Sequence, residues 1–76
     1  MDIELCKLSP GERGTVTHLE TNGSMRRRFL DIGLIENTLV ECLGRSPGGD
    51  PTAYLIRGAV IAIRAQDSRS IRVHRC

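Results

Sequence analysis

The side chains in this sequence that are best suited to chemistry belong to three cysteines and two histidines. His74 and Cys76 stand one residue apart at the C-terminus, and Cys6 lies near the N-terminus. Imidazole and thiolate are ligand types that bind zinc or ferrous iron. In a small barrel the first and last strands can be neighbours, which would bring Cys6 close to this pair. Cys6, His74 and Cys76 are therefore weak candidate ligands for iron or zinc, within one chain or between two chains.

Other features weaken the metal hypothesis and argue against catalysis. The cysteines are odd in number and widely spaced, and they form no Cys-x-x-Cys pair, so neither a disulfide framework nor a zinc ribbon is indicated. Cys42 falls at a core-facing strand position, and Cys76 is a terminal residue, where chains are mobile. Neither histidine has an acid or nucleophile at a recognisable motif spacing. We therefore predict no enzyme activity and no required cofactor.

A second candidate site is the arginine triplet that opens the segment RRRFLDIGL, residues 26–34. A helix is predicted over 23–32, and at about 100° per residue the three guanidinium groups fan around it instead of sharing one face. The triplet is therefore interpreted as solvated helix surface and not as a phosphate-binding patch. Leu30 lies outside the apolar stripe of this helix, on the same side as Arg26. An apolar anchor beside an arginine is typical of interface centres.

The segment SPGGDP, residues 46–51, carries strong turn signals between two predicted strands. Its prolines cannot donate to a sheet ladder, its glycines allow positive φ, and Asp50 can hydrogen-bond its own backbone. These residues predict a tight hairpin connection, which is also a rigid, exposed shape that a partner could bind. The predicted partner-binding residues are accordingly Arg26, Leu30, Pro47, Gly48, Gly49, Asp50 and Pro51.

The elements that must position these residues are mainly short strands. Strand patterns follow Gly14 and cover 38–45, 52–58, 60–65 and 71–74, with turns at regular intervals. They predict a mainly β fold, a small β-barrel of about five short strands with one helix. Gly33 is expected at positive φ just past the helix, and Leu34 should fold back on Phe29. The predicted core consists of Val16, Phe29, Ile32, Val40, Cys42, Tyr54, Ile56, Ile61, Ile63, Ile71 and Val73.

Composition narrows the class of partner. The net charge is only +2, from 11 basic and 9 acidic residues, and Phe29 and Tyr54 are the only aromatic residues among 76. Single-stranded nucleic acids are usually bound by a basic groove with several stacking rings, so nucleic acid is not the expected partner. No apolar run approaches the ~20 residues that span a bilayer, and the N-terminus lacks the features of a signal peptide. We expect a cytoplasmic protein without direct membrane insertion.

Taken together, several segments resemble a known family. LSPGERGTV, RRRFLDIGL, RSPGGDPTAY, IRG and IAIR occur in the order and spacing of the FeoA family, over about residues 8–73. The resemblance implies a single SH3-like small barrel over 1–76, with the helix after the second strand. It also implies an accessory or regulatory protein of bacterial ferrous-iron transport, which binds the FeoB membrane permease and lies at the inner membrane through that partner.

Two departures from the family pattern bear on this expectation. Glu36-Asn37 replaces a frequent Pro-Gly pair, and since asparagine tolerates the left-handed conformation, the fold should survive. Gly48 stands where the family usually has a bulky residue, which would weaken a contact made by that side chain. Two alternatives stay open: a transition-metal-sensing SH3-like module and, less favoured, a small-barrel nucleic-acid binder. The oligomeric state, including homo-oligomerisation, also stays open.

Overall fold

One antiparallel sheet organises the chain, and a computed structural model describes it for residues 2–76. The strands are β1 Asp2–Glu4, β2 Arg13–Leu19, β3 Leu39–Arg45, β4 Thr52–Ile56, β5 Ala59–Ile63 and β6 Ile71–Arg75; the helices are α1 Gly23–Asp31, α2 Ala65–Ser68 and a 3-10 turn at Leu5–Lys7. Within residues 2–76 the strand order in the sheet is β1-β6-β2-β3-β4-β5. The helix α1 follows the second strand, as the resemblance implies.

The prediction of a mainly β fold is confirmed, with one strand more than expected. The additional strand is β1, which pairs with β6. It is only three residues long, too short to show a period-two pattern. The short helix α2 and the 3-10 turn were not predicted either. Of the helices in residues 2–76, none has the length and apolar character that crossing a membrane requires.

The end of α1 has the geometry that its sequence predicts. Gly33 has φ +88°. The Leu34 amide donates to the Phe29 carbonyl at 2.8 Å, and the Gly33 amide donates to the Leu30 carbonyl at 3.0 Å. This pair of bonds is a Schellman motif, and both Leu34 and Phe29 are buried in the core. Farther along, Asn37 has φ +74°, so the expected left-handed turn at that asparagine is also confirmed.

The hairpin between β4 and β5 is closed by a two-residue turn. Arg57 and Gly58 have φ +49° and +82°, which is the backbone of a type I′ turn. This turn sets the register, with Ile56 opposite Ala59 and Thr52 opposite Ile63. A turn between the strand patterns at 52–58 and 60–65 is therefore confirmed, although it begins at Arg57, inside the first of these patterns.

The core is built mainly from residues of the strands, with Phe29 as the buried residue of α1, and it contains most of the predicted residues. Ile32 was wrongly assigned to it: the residue follows the last helical position, at φ −85° and ψ 0°, and is 36% exposed. Ile61 is only partly buried against the core. Leu5, Leu8 and Leu19 were missed, and Leu34, which was expected to fold back on Phe29, also belongs to the core. The buried apolar residues are Leu5, Leu8, Val16, Leu19, Phe29, Leu34, Val40, Cys42, Tyr54, Ile56, Ile63, Ile71 and Val73.

Candidate functional site

The Arg26 side chain is fixed against the end of β2. Its Nη1 atom donates to the Leu19 carbonyl at 2.8 Å and is 3.4 Å from the Thr21 carbonyl. Arg26 thus ties the first turn of α1 to the strand before it, while the residue as a whole stays exposed. A guanidinium that is already held in one place loses less conformational freedom when a partner binds. Sequence alone predicts an exposed arginine but cannot show this anchoring.

Apolar side chains are exposed on both sides of Arg26. Leu30 is 42% exposed and Ile35 is 43% exposed. One shallow groove is lined by Arg26, Arg27 and Leu30, and a second by Arg26 and Ile35. We call Arg26, Arg27, Leu30 and Ile35 the helix patch. Its combination of arginine and exposed aliphatic groups suits a protein interface.

The connection between β3 and β4 is the tight turn that its sequence predicts. Gly49 has φ +89°, and its amide donates to the Ser46 carbonyl at 2.8 Å. Asp50 does not bond its own turn as expected: its Oδ1 atom accepts from the amide of Ala65 at 2.9 Å, which ties the connection to the start of α2. We call Pro47–Pro51 the hairpin tip. No residue of the tip lines the two grooves beside Arg26.

The three candidate metal ligands do not meet. β1 and β6 are neighbours, as the metal hypothesis required, with Asp2 opposite His74. The pairing is antiparallel, so the chain moves away from His74 and Cys76 as it runs towards Cys6. Within residues 2–76, no group of three histidine, cysteine or acidic side chains lies close enough to hold a metal ion.

Burial also makes two of the thiols poor ligands. The pKa of Cys42 is raised, chiefly because burial disfavours the thiolate. The pKa of Cys6 is raised by burial first and then by its hydrogen bond to Glu4, whose Oε1 accepts from Sγ at 3.5 Å. Since metals bind the thiolate, both groups must first lose a proton that the fold helps them keep.

Comparison with known proteins places this geometry in a family. The chain matches the FeoA domain model over residues 3–75. It is 25% identical over 71 residues to the Fe(2+) transport protein A/Fe(2+) transporter FeoB fusion protein of Porphyromonas gingivalis, a match that covers 93% of this chain but only 8% of the fusion protein.

Two solved structures show the same fold. FeoA from Chlorobium tepidum is 30% identical, with a TM-score of 0.90 over 96% of this chain and 70% of that one. FeoA from Stenotrophomonas maltophilia, solved with zinc and described as a prokaryotic SH3 domain protein, is 20% identical, with a TM-score of 0.82 over 97% of this chain and 89% of that one. The six-stranded architecture is therefore SH3-like, as predicted.

Proposed function

Because the chain belongs to the FeoA family, which is associated with ferrous-iron transport, we propose that it is a non-catalytic accessory protein that binds a FeoB-like permease. The observation that carries this proposal is the fusion protein of Porphyromonas gingivalis, in which a FeoA-like segment and FeoB share one polypeptide. In the fusion protein a covalent link keeps the FeoA-like domain beside the transporter. A FeoA-like domain without such a link needs a surface that binds the transporter. The proposed site of action is the cytoplasmic face of the inner membrane.

The helix patch is the proposed contact with the permease. Leu30 and Ile35 offer apolar area on either side of Arg26, whose guanidinium is already held by two backbone carbonyls. The Arg27 side chain has no hydrogen bond or ion pair within residues 2–76 and is available to an acidic group of the partner. A few such residues can supply most of the binding energy of an interface. The hairpin tip is proposed as a second contact because its backbone is restrained.

The experiment that tests this proposal is co-purification of the chain with a FeoB-like permease from detergent extract. Leu30→Glu should lower recovery by about tenfold or more, since it places a charge at the apolar centre of the patch. Leu39→Glu is the matched control, because Leu39 is also an exposed leucine (51%) but lies on β3. Full recovery of a folded Leu30→Glu variant would move the contact elsewhere, and failure of the unmodified chain to co-purify would refute permease binding.

A metal-sensing role is the second candidate. Its support is the zinc complex of the Stenotrophomonas maltophilia relative. In this chain, His74 and Cys76 lie near the C-terminus, with Cys76 exposed and the His74 side chain 60% exposed. They could contribute two ligands to a site completed by a second chain. Retention of zinc by a dimer, but not by a monomer, would favour this role.

A further inference from the structure

β5 is an edge strand whose sequence lacks the usual protection. In the described sheet it pairs with β4 on one side only. Its residues, Ala-Val-Ile-Ala-Ile, include no charge and no proline, which are the features that commonly keep an edge from pairing with other chains. The opposite edge differs, because β1 has only three residues and two of them, Asp2 and Glu4, are acidic.

The register shows which backbone groups of β5 are available. A two-residue hairpin places Ile56 and Ala59 in a hydrogen-bonded pair, and such pairs then alternate along the strands. Ala59, Ile61 and Ile63 therefore bond to β4. The amide and carbonyl groups of Val60 and Ala62 point away from it, and Val60 is the most exposed large apolar residue of the described chain, at 65%.

A groove of about 460 Å³ runs between this edge and α1. Its walls are mainly apolar. The helix contributes a half-buried methionine and a buried phenylalanine, and the exposed Ile32 follows its last residue. The strand β5 contributes its last three residues. An added strand at this edge would have its side chains on one face covered by the helix. The apolar lining residues are Met25, Phe29, Ile32, Ile61, Ala62 and Ile63.

The charge around the groove is positive. Arg28 and Arg64 line it, and within residues 2–76 neither side chain has a hydrogen bond or an ion pair. Asp67 is the acidic residue in the lining. Arg57, in the turn before β5, does not line the groove, and its guanidinium bonds to the Gly33 carbonyl and Thr38 Oγ1. Antiparallel pairing of β5 with a second copy of itself would bring Arg57 of one chain near Arg64 of the other. Repulsion between these like charges disfavours that pairing.

We infer that the edge of β5 binds an extended apolar segment of a partner protein that carries acidic residues at its ends. The segment adds a seventh strand to the sheet, between β5 and α1. The backbone groups of Val60 and Ala62 provide hydrogen bonds, the groove takes alternate side chains, and Arg28 and Arg64 select carboxylates. This surface differs from the helix patch, and the inference does not depend on the permease being the partner.

A peptide titration tests the inference directly. The probe is Glu-Val-Thr-Val-Thr-Val-Glu, and its control is the same peptide with lysine at both ends. With the 15N-labelled chain at low salt, the acidic peptide should give saturable shifts at the amides of Val60 and Ala62. It should bind about tenfold tighter than the lysine peptide. Equal binding of the two peptides, or no shifts at these amides, would overturn the inference.

Two variants distinguish strand addition from attraction between charges alone. Ala62→Pro removes an outward amide and leaves the bonds to β4 intact, so it should weaken binding of the acidic peptide by about tenfold. Ala62→Ser keeps the amide and should leave the affinity unchanged. Arg28→Glu with Arg64→Glu should invert the preference towards the lysine peptide.

Should Ala62→Pro fail to fold, the amide shifts of Val60 and Ala62 report strand addition and the charge reversal reports the selection of carboxylates, and the absence of either effect refutes the inference. Sedimentation tests the other possible occupant of the edge, which is a second copy of the chain. Self-association that Ala62→Pro abolishes, with no peptide binding, would assign the edge to a second copy of the chain and overturn the inference.

Discussion

The Arg57 side chain joins the β4–β5 turn to the end of α1 through the carbonyl of Gly33. Its Nε atom donates to that carbonyl at 2.8 Å, and its Nη2 atom donates to Thr38 Oγ1 at 3.3 Å. Both Arg57 and Gly33 have positive φ, +49° and +88°. One guanidinium thus links two left-handed positions that lie 24 residues apart in sequence.

Gly33→Ala should destabilise the fold more than glycine replacement usually does at positive φ. The added Cβ would lie 2.5 Å from Arg57 Cδ and 2.7 Å from Nε, so Arg57 must move and give up its bond. We expect a loss of about 2–3 kcal/mol in the free energy of unfolding, from backbone strain and the lost bond together. Urea denaturation measures it.

Gly11→Ala is the control for backbone strain alone. Gly11 has φ +91°, close to that of Gly33, but nothing lies within 4 Å of its added Cβ. Its replacement should cost about 1–2 kcal/mol. In an Arg57→Ala background, Gly33→Ala should cost no more than this. Equal costs at the two glycines in the unmodified chain would show that Arg57 does not restrict Gly33.

Phe29→Ala should remove a large share of the stability of so small a domain. Phe29 is 4% exposed, and truncating a buried phenylalanine costs about 3–5 kcal/mol. Ile32→Ala is the comparison, since Ile32 is 36% exposed and should cost less than about 1 kcal/mol. A thermal midpoint unchanged by Phe29→Ala would contradict the placement of α1.

The contrast between Phe29 and Ile32 shows which buried residues can be predicted from the sequence. The period of the helix places both on one apolar stripe, but that geometry applies only inside the helix. Ile32 follows the last helical residue, where the backbone turns away at ψ 0°. The Schellman motif at Gly33 was predictable because only particular residue types suit a left-handed end.

Long-range contacts mark the limit of prediction for the candidate site. The types and spacing of residues predicted that Leu30 lies on an exposed face, because this position follows from the period of the local helix alone. They could not show that Arg26 bonds to carbonyls before the helix, or that Asp50 accepts from Ala65, because both partners are fixed by tertiary packing. The same holds for β1, whose three residues become a strand only beside β6.

Stability should decline in alkaline solution. Burial raises the pKa of the Cys42 thiol above its ordinary value of 9.0, and that of Tyr54 above 10.0. The native state therefore keeps protons that the unfolded chain loses, so this stabilisation is complete below about pH 9 and decreases as the pH rises further. Thermal midpoints measured under reducing conditions should therefore fall as the pH rises above about 9.

Cysteine variants identify the source of that decline. Cys42→Ala should reduce the slope of the thermal midpoint against pH, because it removes one of the buried titrating groups. This holds whatever the variant does to stability at neutral pH. Cys76→Ala changes an exposed cysteine and should leave the slope as it is. A slope that is identical in all three proteins would rule out Cys42 as a contributor.

Zinc should not be retained by the monomer. Since Cys6, His74 and Cys76 are not assembled into one group, we expect dialysis at neutral pH to remove added zinc and chelation to leave the thermal midpoint unchanged. Metal analysis after gel filtration measures this. One zinc retained per monomer and lost in Cys76→Ala would contradict this expectation.

The hairpin tip is tested at Gly48, where a side chain can be added without disturbing the fold. Nothing lies within 4 Å of its added Cβ. The bond from the Ala65 amide to Asp50 still holds the tip in place. Gly48→Glu and Gly48→Leu should therefore both fold with nearly unchanged thermal midpoints. Any difference between them in function then reports contact with the partner and not stability.

The two variants should differ in ferrous-iron uptake by cells that lack the unmodified protein. If the tip touches the permease, an aliphatic side chain adds apolar contact area, at the position where the family usually has a bulky residue, and uptake should be maintained or increased. Glutamate must be desolvated in the same contact, and uptake should fall, by about tenfold if one buried charge is left unpaired. Equal uptake by both variants at equal expression would exclude the tip and leave the helix patch as the proposed contact.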